Sequence, residues 1–175
     1  MNIRKTATVG ILAALICVFS PLSIPFGAIP ISLSTLAIYI VSSTVNRKYS
    51  FAAVAIYILI GAVGLPVFSS FTGGLQYITG YTGGYIIGYL PCALIIGTLT
   101  DRFENKKIIY PISMLAGTFV CYLSGTLWYM HRAACGLTEA VAVCVLPFII
   151  GDIIKITVAS SIGITLKQRI KKFII

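Results

Sequence analysis

Acidic side chains are scarce in this chain: 4 Asp and Glu stand against 13 Lys and Arg in 175 residues, and charged residues make up only 10% of the sequence. A soluble domain carries roughly 25%. With 58% hydrophobic residues, this excludes both a soluble globular domain and a disordered chain. Histidine occurs once, as His131, and the five cysteines (Cys17, Cys92, Cys121, Cys135, Cys144) form no CxxC pair. Neither a His-rich metal site nor a His-based triad can be assembled from these, so no metal and no cofactor is expected. The cysteines read as small buried hydrophobes, with Cys135 alone in an outward loop. A phosphate loop of the form GxxxxGK[ST] is missing too, so any ATP hydrolysis must come from a partner and the chain itself is not expected to be an enzyme. The apolar runs are continuous and lack the period-two alternation of a transmembrane β-barrel. What remains is an all-α membrane protein.

A helical span takes about 20 residues, so one integral membrane domain over residues 1–175 holds six or seven spans at most. Apolar stretches lie at about 4–19, 31–45, 50–64, 81–100, 108–130 and 141–166. Six spans put Arg4, Lys5, Arg47, Lys48, Arg102, Lys106, Lys107, Lys167, Arg169, Lys171 and Lys172 on one side, and of the 13 basic residues only Arg132 and Lys155 are left over. Basic residues collect on the cytoplasmic side, so both termini are expected there. The net charge of +9 is thus a topology signal facing anionic lipid headgroups. It is not a nucleic-acid footprint, which needs a basic face on a soluble surface. The first stretch has the basic start of a signal peptide, but no A-x-A-like site follows and the later spans need its orientation.

Two outward segments, Ser20–Pro30 and Gly64–Gly80, are uncharged and rich in Gly, Pro, Ser and Thr. Such segments suit walls or lids of an outward-facing pocket, because non-helical backbone at membrane depth must be buried in protein or line a cavity.

Chemistry concentrates in Gly151-Asp152-Ile153-Ile154-Lys155. Asp152 and Lys155, at i and i+3, share one helix face, and each costs about 2.5–3.5 kcal/mol to insert at the bilayer centre. Either they form a structural ion pair between helices or they bind a ligand; the second reading is favoured, since together they offer an acceptor and a cation. The helix begins at Pro147, a favoured first-turn position, or at Val141 with a kink at the proline. A second cluster spans Thr72 to Tyr85, with Gly73, Gly74, Gln76, Thr82, Gly83, Gly84 and Tyr85 as candidate ligand contacts. Its glycines allow close backbone approach to a ligand or tight helix packing. Phe68, Phe71, Tyr77, Tyr81 and Tyr89 suit an apolar ligand body or an interfacial belt, and Trp128 is open to the same two readings. On the first helix Gly10 and Ala14 form a small-xxx-small pair, for packing within the chain or for docking a separate membrane subunit.

Five blocks together resemble the biotin-specific S components of energy-coupling-factor transporters, the BioY family, along essentially the whole chain. They are Ile29–Leu36 (IPISLSTL), Gly61–Phe68 (GAVGLPVF), Gly80–Tyr85 (GYTGGY), Gly125–Trp128 (GTLW) and Pro147–Lys155 (PFIIGDIIK). Ser34, Tyr81 and Ile150 depart from the usual family pattern, while Asp152 and Lys155 keep it. The resemblance implies a six-helix protein of the prokaryotic cell membrane that captures biotin from outside. It also implies a transmembrane coupling protein and two ATP-binding subunits as partners, with the biotin-binding subunit toppling to deliver its cargo. In that setting Asp152 accepts from a ureido N–H, Lys155 holds a carboxylate or carbonyl oxygen, and the Gly73–Tyr85 segment supplies backbone and aromatic contact. The nearest rivals are a component for another small vitamin and a stand-alone transporter; a membrane enzyme lacks any matching motif.

Overall fold

The structure, a computed structural model, describes residues 3–25 and 27–174; Phe26 and the side chains of Arg4, Gln168, Ile170, Lys171, Lys172, Phe173 and Ile174 lie outside the described residues. Among the described residues eight α-helices follow one another: α1 (Ile3–Phe19), α2 (Ser34–Thr44), α3 (Arg47–Ala62), α4 (Leu75–Thr79), α5 (Gly83–Arg102), α6 (Ile109–Ala133), α7 (Leu137–Cys144) and α8 (Ile149–Ile174). Between α1 and α2 the strands β1 (Ser23–Ile24) and β2 (Ile31–Ser32) pair antiparallel. Among the described residues three helices, α5, α6 and α8, are long and apolar enough to cross a membrane, and α1 and α2 are shorter apolar helices.

Helix boundaries differ from the apolar stretches where backbone chemistry intervenes. The stretch 31–45 starts as strand, and its helix begins only at Ser34. The stretch 50–64 is helical from Arg47, where the Asn46 side chain accepts from Lys48 N at 3.1 Å, and it stops before Gly64, whose φ is +112°. The stretch 141–166 is two helices, because Pro147 has no N–H to donate and clashes with a continuing helix. Val145–Phe148 turn instead, and α8 starts afresh, with Asp152 N donating to Phe148 O at 2.8 Å.

α5 and α6 pack antiparallel along small residues. A β-carbon on Gly84 would run into Trp128 and the Ser124 carbonyl, one on Gly88 into the Ser124 hydroxyl, and one on Gly117 into Cys92 and Ile96. Contacts that descend α6 as they ascend α5 are the mark of a close antiparallel pair seated on glycine. Outside this seam, Ile112, Leu115, Phe119, Leu123 and Leu127 of α6 and Ile150, Ile153, Ile154 and Val158 of α8 are exposed at helical spacing. Such stripes are aggregation liabilities in water and natural surfaces in lipid.

Among the described residues two ion pairs involve α8, and their lysines, Lys155 and Lys167, lie about 18 Å apart along the helix at 1.5 Å per residue. One is Asp152 with Lys155. The other joins Lys167 Nζ to Asp101 Oδ1 at 3.0 Å, while Asp101 Oδ2 accepts from Arg47 N at 2.9 Å. Asp101 thus caps α3 and ties it to α5 and α8, at the end where Gly97 lets α5 pass close to the Arg47 backbone. Asp101→Asn is expected to cost about 1–3 kcal/mol, visible as a lower melting midpoint in detergent. An unchanged midpoint would show that this tie contributes nothing.

Candidate functional site

A cavity of about 420 Å³ lies between the segments Ser20–Pro30 and Gly64–Gly80 and the helices. That volume falls in the range of roughly 300–1,000 Å³ typical of small-molecule sites. Its outer rim is exposed at Gly27, Ala28, Ser70, Gln76 and Tyr81, and its base is buried at Tyr57, Tyr89, Thr118 and Asp152. These two segments are tied together across the rim: the Ser23 and Ser70 hydroxyls meet at 2.9 Å, and Ser70 N donates to Ser23 Oγ at 2.8 Å. Phe68, which forms part of the wall, is seated against Gly61, where any β-carbon would enter its ring.

At the base, the first turns of α8 point a carboxylate and an ammonium at each other. Lys155 Nζ donates to Asp152 Oδ1 at 3.1 Å and to Thr35 Oγ1 at 3.1 Å. The Thr35 hydroxyl donates on to Asp152 Oδ1 at 3.4 Å, and Tyr122 OH donates to Asp152 Oδ2 at 2.6 Å. Asp152 is 4% exposed and Lys155 8%. Two charges this far from water persist only when paired and hydrogen-bonded. Thr35 from α2 and Tyr122 from α6 complete that shell, so three helices converge on one polar cluster. Beside it the Tyr39 and Thr118 hydroxyls bond to each other.

Of the candidate ligand contacts, Asp152, Lys155, Gln76, Thr82 and Tyr85 line this cavity. Their polar groups are partly committed: Gln76 Nε2 donates to Gly73 O at 3.0 Å, Thr82 Oγ1 to Tyr77 O at 3.2 Å, and Tyr85 OH to Cys144 O. The four glycines are placed elsewhere. Gly73, Gly74, Gly83 and Gly84 are not among the lining residues. Gly73 sits under the Leu65 carbonyl, Gly74 takes φ +100°, Gly83 passes close to the Ile78 carbonyl, and Gly84 belongs to the α5–α6 seam. Trp128 resolves in favour of neither belt nor pocket: its Nε1 donates to Gly80 O at 2.8 Å and pins the Gly64–Gly80 segment to α6. Phe71 is exposed and does not line the cavity, whereas Phe68, Tyr77, Tyr81, Tyr85 and Tyr89 do. Of the three departures, Tyr81 alone lines the cavity; Ser34 is buried among Ser32 and the Ser20 carbonyl, and Ile150 is exposed. Thr35 and Tyr122 escaped sequence reasoning. Thr35 lies inside the IPISLSTL block, but Tyr122 carries no local signal.

Comparison with known proteins returns the same architecture. The BioY family model matches residues 1–172. The biotin transporter BioY of Thermotoga maritima is 37% identical, over 94% of this chain and 96% of its own length. Biotin transporter BioY2 of Lactococcus lactis subsp. cremoris is 32% identical, over 88% and 85%. A crystal structure of the S-component for biotin from an ECF-type ABC transporter superposes with a TM-score of 0.88 at 25% identity, covering 96% of this chain and 94% of that one. With nearly its whole length matched by one family model and its helices overlaying a solved relative, this membrane protein belongs to the BioY family.

Proposed function

We propose that this chain is the substrate-capturing subunit of a biotin uptake system in the prokaryotic cell membrane. It crosses the membrane six times, through α1, α2, α3, α5, α6 and α8, with both termini in the cytoplasm. The observation that carries the reading is the buried Asp152–Lys155–Thr35–Tyr122 cluster at the base of an otherwise uncharged, tyrosine-rich cavity. Relatives named as biotin transporters support the choice of ligand.

The cluster is electrically neutral as a whole. A ureido ring brings a carbonyl acceptor and N–H donors side by side, so the carbonyl takes a Lys155 N–H and a ring N–H goes to Asp152, with no net charge added to a buried site. A ligand carboxylate in the same place would leave one anion uncompensated. The bicyclic head therefore goes down among Tyr57, Tyr85 and Tyr89, and the valerate chain extends toward the exposed rim. Replacing Tyr122 by Phe or Thr35 by Val strips one donor from Asp152, and each is expected to weaken biotin binding about tenfold, from a loss of roughly 1–2 kcal/mol. Calorimetric titration checks this; unchanged affinity in both variants would place biotin elsewhere.

No ATP-binding motif stands in the chain, so transport requires partners: a transmembrane coupling protein and two ATP-binding subunits. Gly10 and Ala14 on α1 are the proposed docking positions. Both are exposed beside Ile11 and Val18, and a β-carbon on Gly10 would meet no atom within 4 Å. This leaves a close-approach surface for another helix. In cells without other biotin uptake, labelled biotin should accumulate only when the coupling subunits are co-produced. Gly10→Leu/Ala14→Leu should abolish that uptake and leave binding by the purified chain intact. Uptake that persists without the coupling subunits would make the chain a stand-alone transporter instead.

A further inference from the structure

The cavity carries its charge at one end only. Asp152 and Lys155 offset each other at the buried base, and every other described lining residue is uncharged. At the rim the polar groups are the hydroxyls of Ser69, Ser70, Thr72, Tyr77, Tyr81 and Thr82 and the carboxamide of Gln76. Hydroxyls and carboxamides donate or accept equally well, so they serve a neutral amide as readily as an anion. With the ureido ring at the base, a carboxylate at the rim finds no cation among the described lining residues and keeps its charge balanced by water alone.

Resting on the orientation proposed above, we infer that the site accepts biotin whose carboxyl group is capped as a neutral amide or ester. The substrate class is thus set by the ureido head and its apolar chain, and it includes biotin joined through an amide bond to a small amine. Steric room follows from the same geometry. The rim residues Gly27, Ser70, Gln76 and Tyr81 are exposed, so a tail longer than valerate continues outward without entering the core. In this the site differs from one built around a carboxylate-binding arginine or lysine, which would reject capped ligands.

Titration of the purified full chain with biotin, biotinamide and biotin methyl ester decides the matter. The capped ligands are expected to bind within about tenfold of biotin, since no buried ion pair is lost. A loss beyond about tenfold for both capped ligands, with biotin itself binding normally, overturns the inference. The Lys155→Met protein supplies an independent readout: biotin and biotinamide should weaken by the same factor, and a loss confined to biotin would put the carboxylate on Lys155 and overturn the inference as well. Failure of biotin itself to bind the unaltered chain would remove the underlying functional reading, and the inference with it.

Discussion

Asp152→Asn protein is expected to bind biotin at least about a hundredfold more weakly and to melt at a lower temperature. The substitution keeps the shape of the side chain but removes the counter-charge of the Lys155 ammonium, 8% exposed, and leaves it only neutral acceptors. Removing one member of a buried ion pair typically costs about 3–5 kcal/mol, which is more than two decades in an equilibrium constant. Stability and affinity both fall in this variant, so it does not by itself separate a structural strut from a binding group. The double variant Asp152→Asn/Lys155→Met does. Replacing both charges by neutral groups of similar size is often neutral or stabilising, so melting should recover toward the unaltered value while biotin binding stays lost. A double variant that regains biotin binding along with its melting temperature would reduce the pair to a strut.

Gly84→Leu should prevent α5 and α6 from pairing. The added side chain collides with Trp128 and the Ser124 carbonyl in a seam where backbone, rather than a flexible tip, stands in the way. Overpacking a core costs about 1–3 kcal/mol when neighbours can yield, and more when they cannot. Displacing Trp128 also breaks its bond to Gly80 O and frees the Gly64–Gly80 segment from α6. The expected result is loss of the monodisperse peak on size exclusion in detergent. Gly10→Leu is the matched control, because open space surrounds that position; its elution and melting should be unaltered. Equal behaviour of the two variants would contradict the assigned seam.

These two cases show which features were legible in the sequence. The Asp152–Lys155 pair was, because charges in apolar helices are too costly to be incidental. The glycines between Thr72 and Tyr85 were conspicuous too, but glycine serves a ligand and a helix neighbour by the same property, the missing β-carbon, and composition cannot tell which neighbour takes the space. Thr35 and Tyr122 were hidden for the opposite reason. Single hydroxyls are cheap in a membrane helix, and these two become significant only because the fold brings α2 and α6 to the base of α8. The clip of β1 with β2 lay below the resolution of any periodicity, being two residues on each side of a proline-rich turn. The break at Pro147 was foreseeable as one of two alternatives, and backbone hydrogen bonding selected the fresh start at Ile149.

The central claim is that biotin occupies this cavity with its ureido ring on the Asp152–Lys155 cluster. Titration of the purified, unaltered chain with biotin, and in parallel with biotin whose ureido ring carries an N-methyl group, tests it most directly. The account predicts saturable one-to-one binding of biotin and, for the methylated ring, a loss of about tenfold or more, since a buried donor to Asp152 is replaced by an apolar group. No binding of biotin, or equal binding of both compounds, would contradict it.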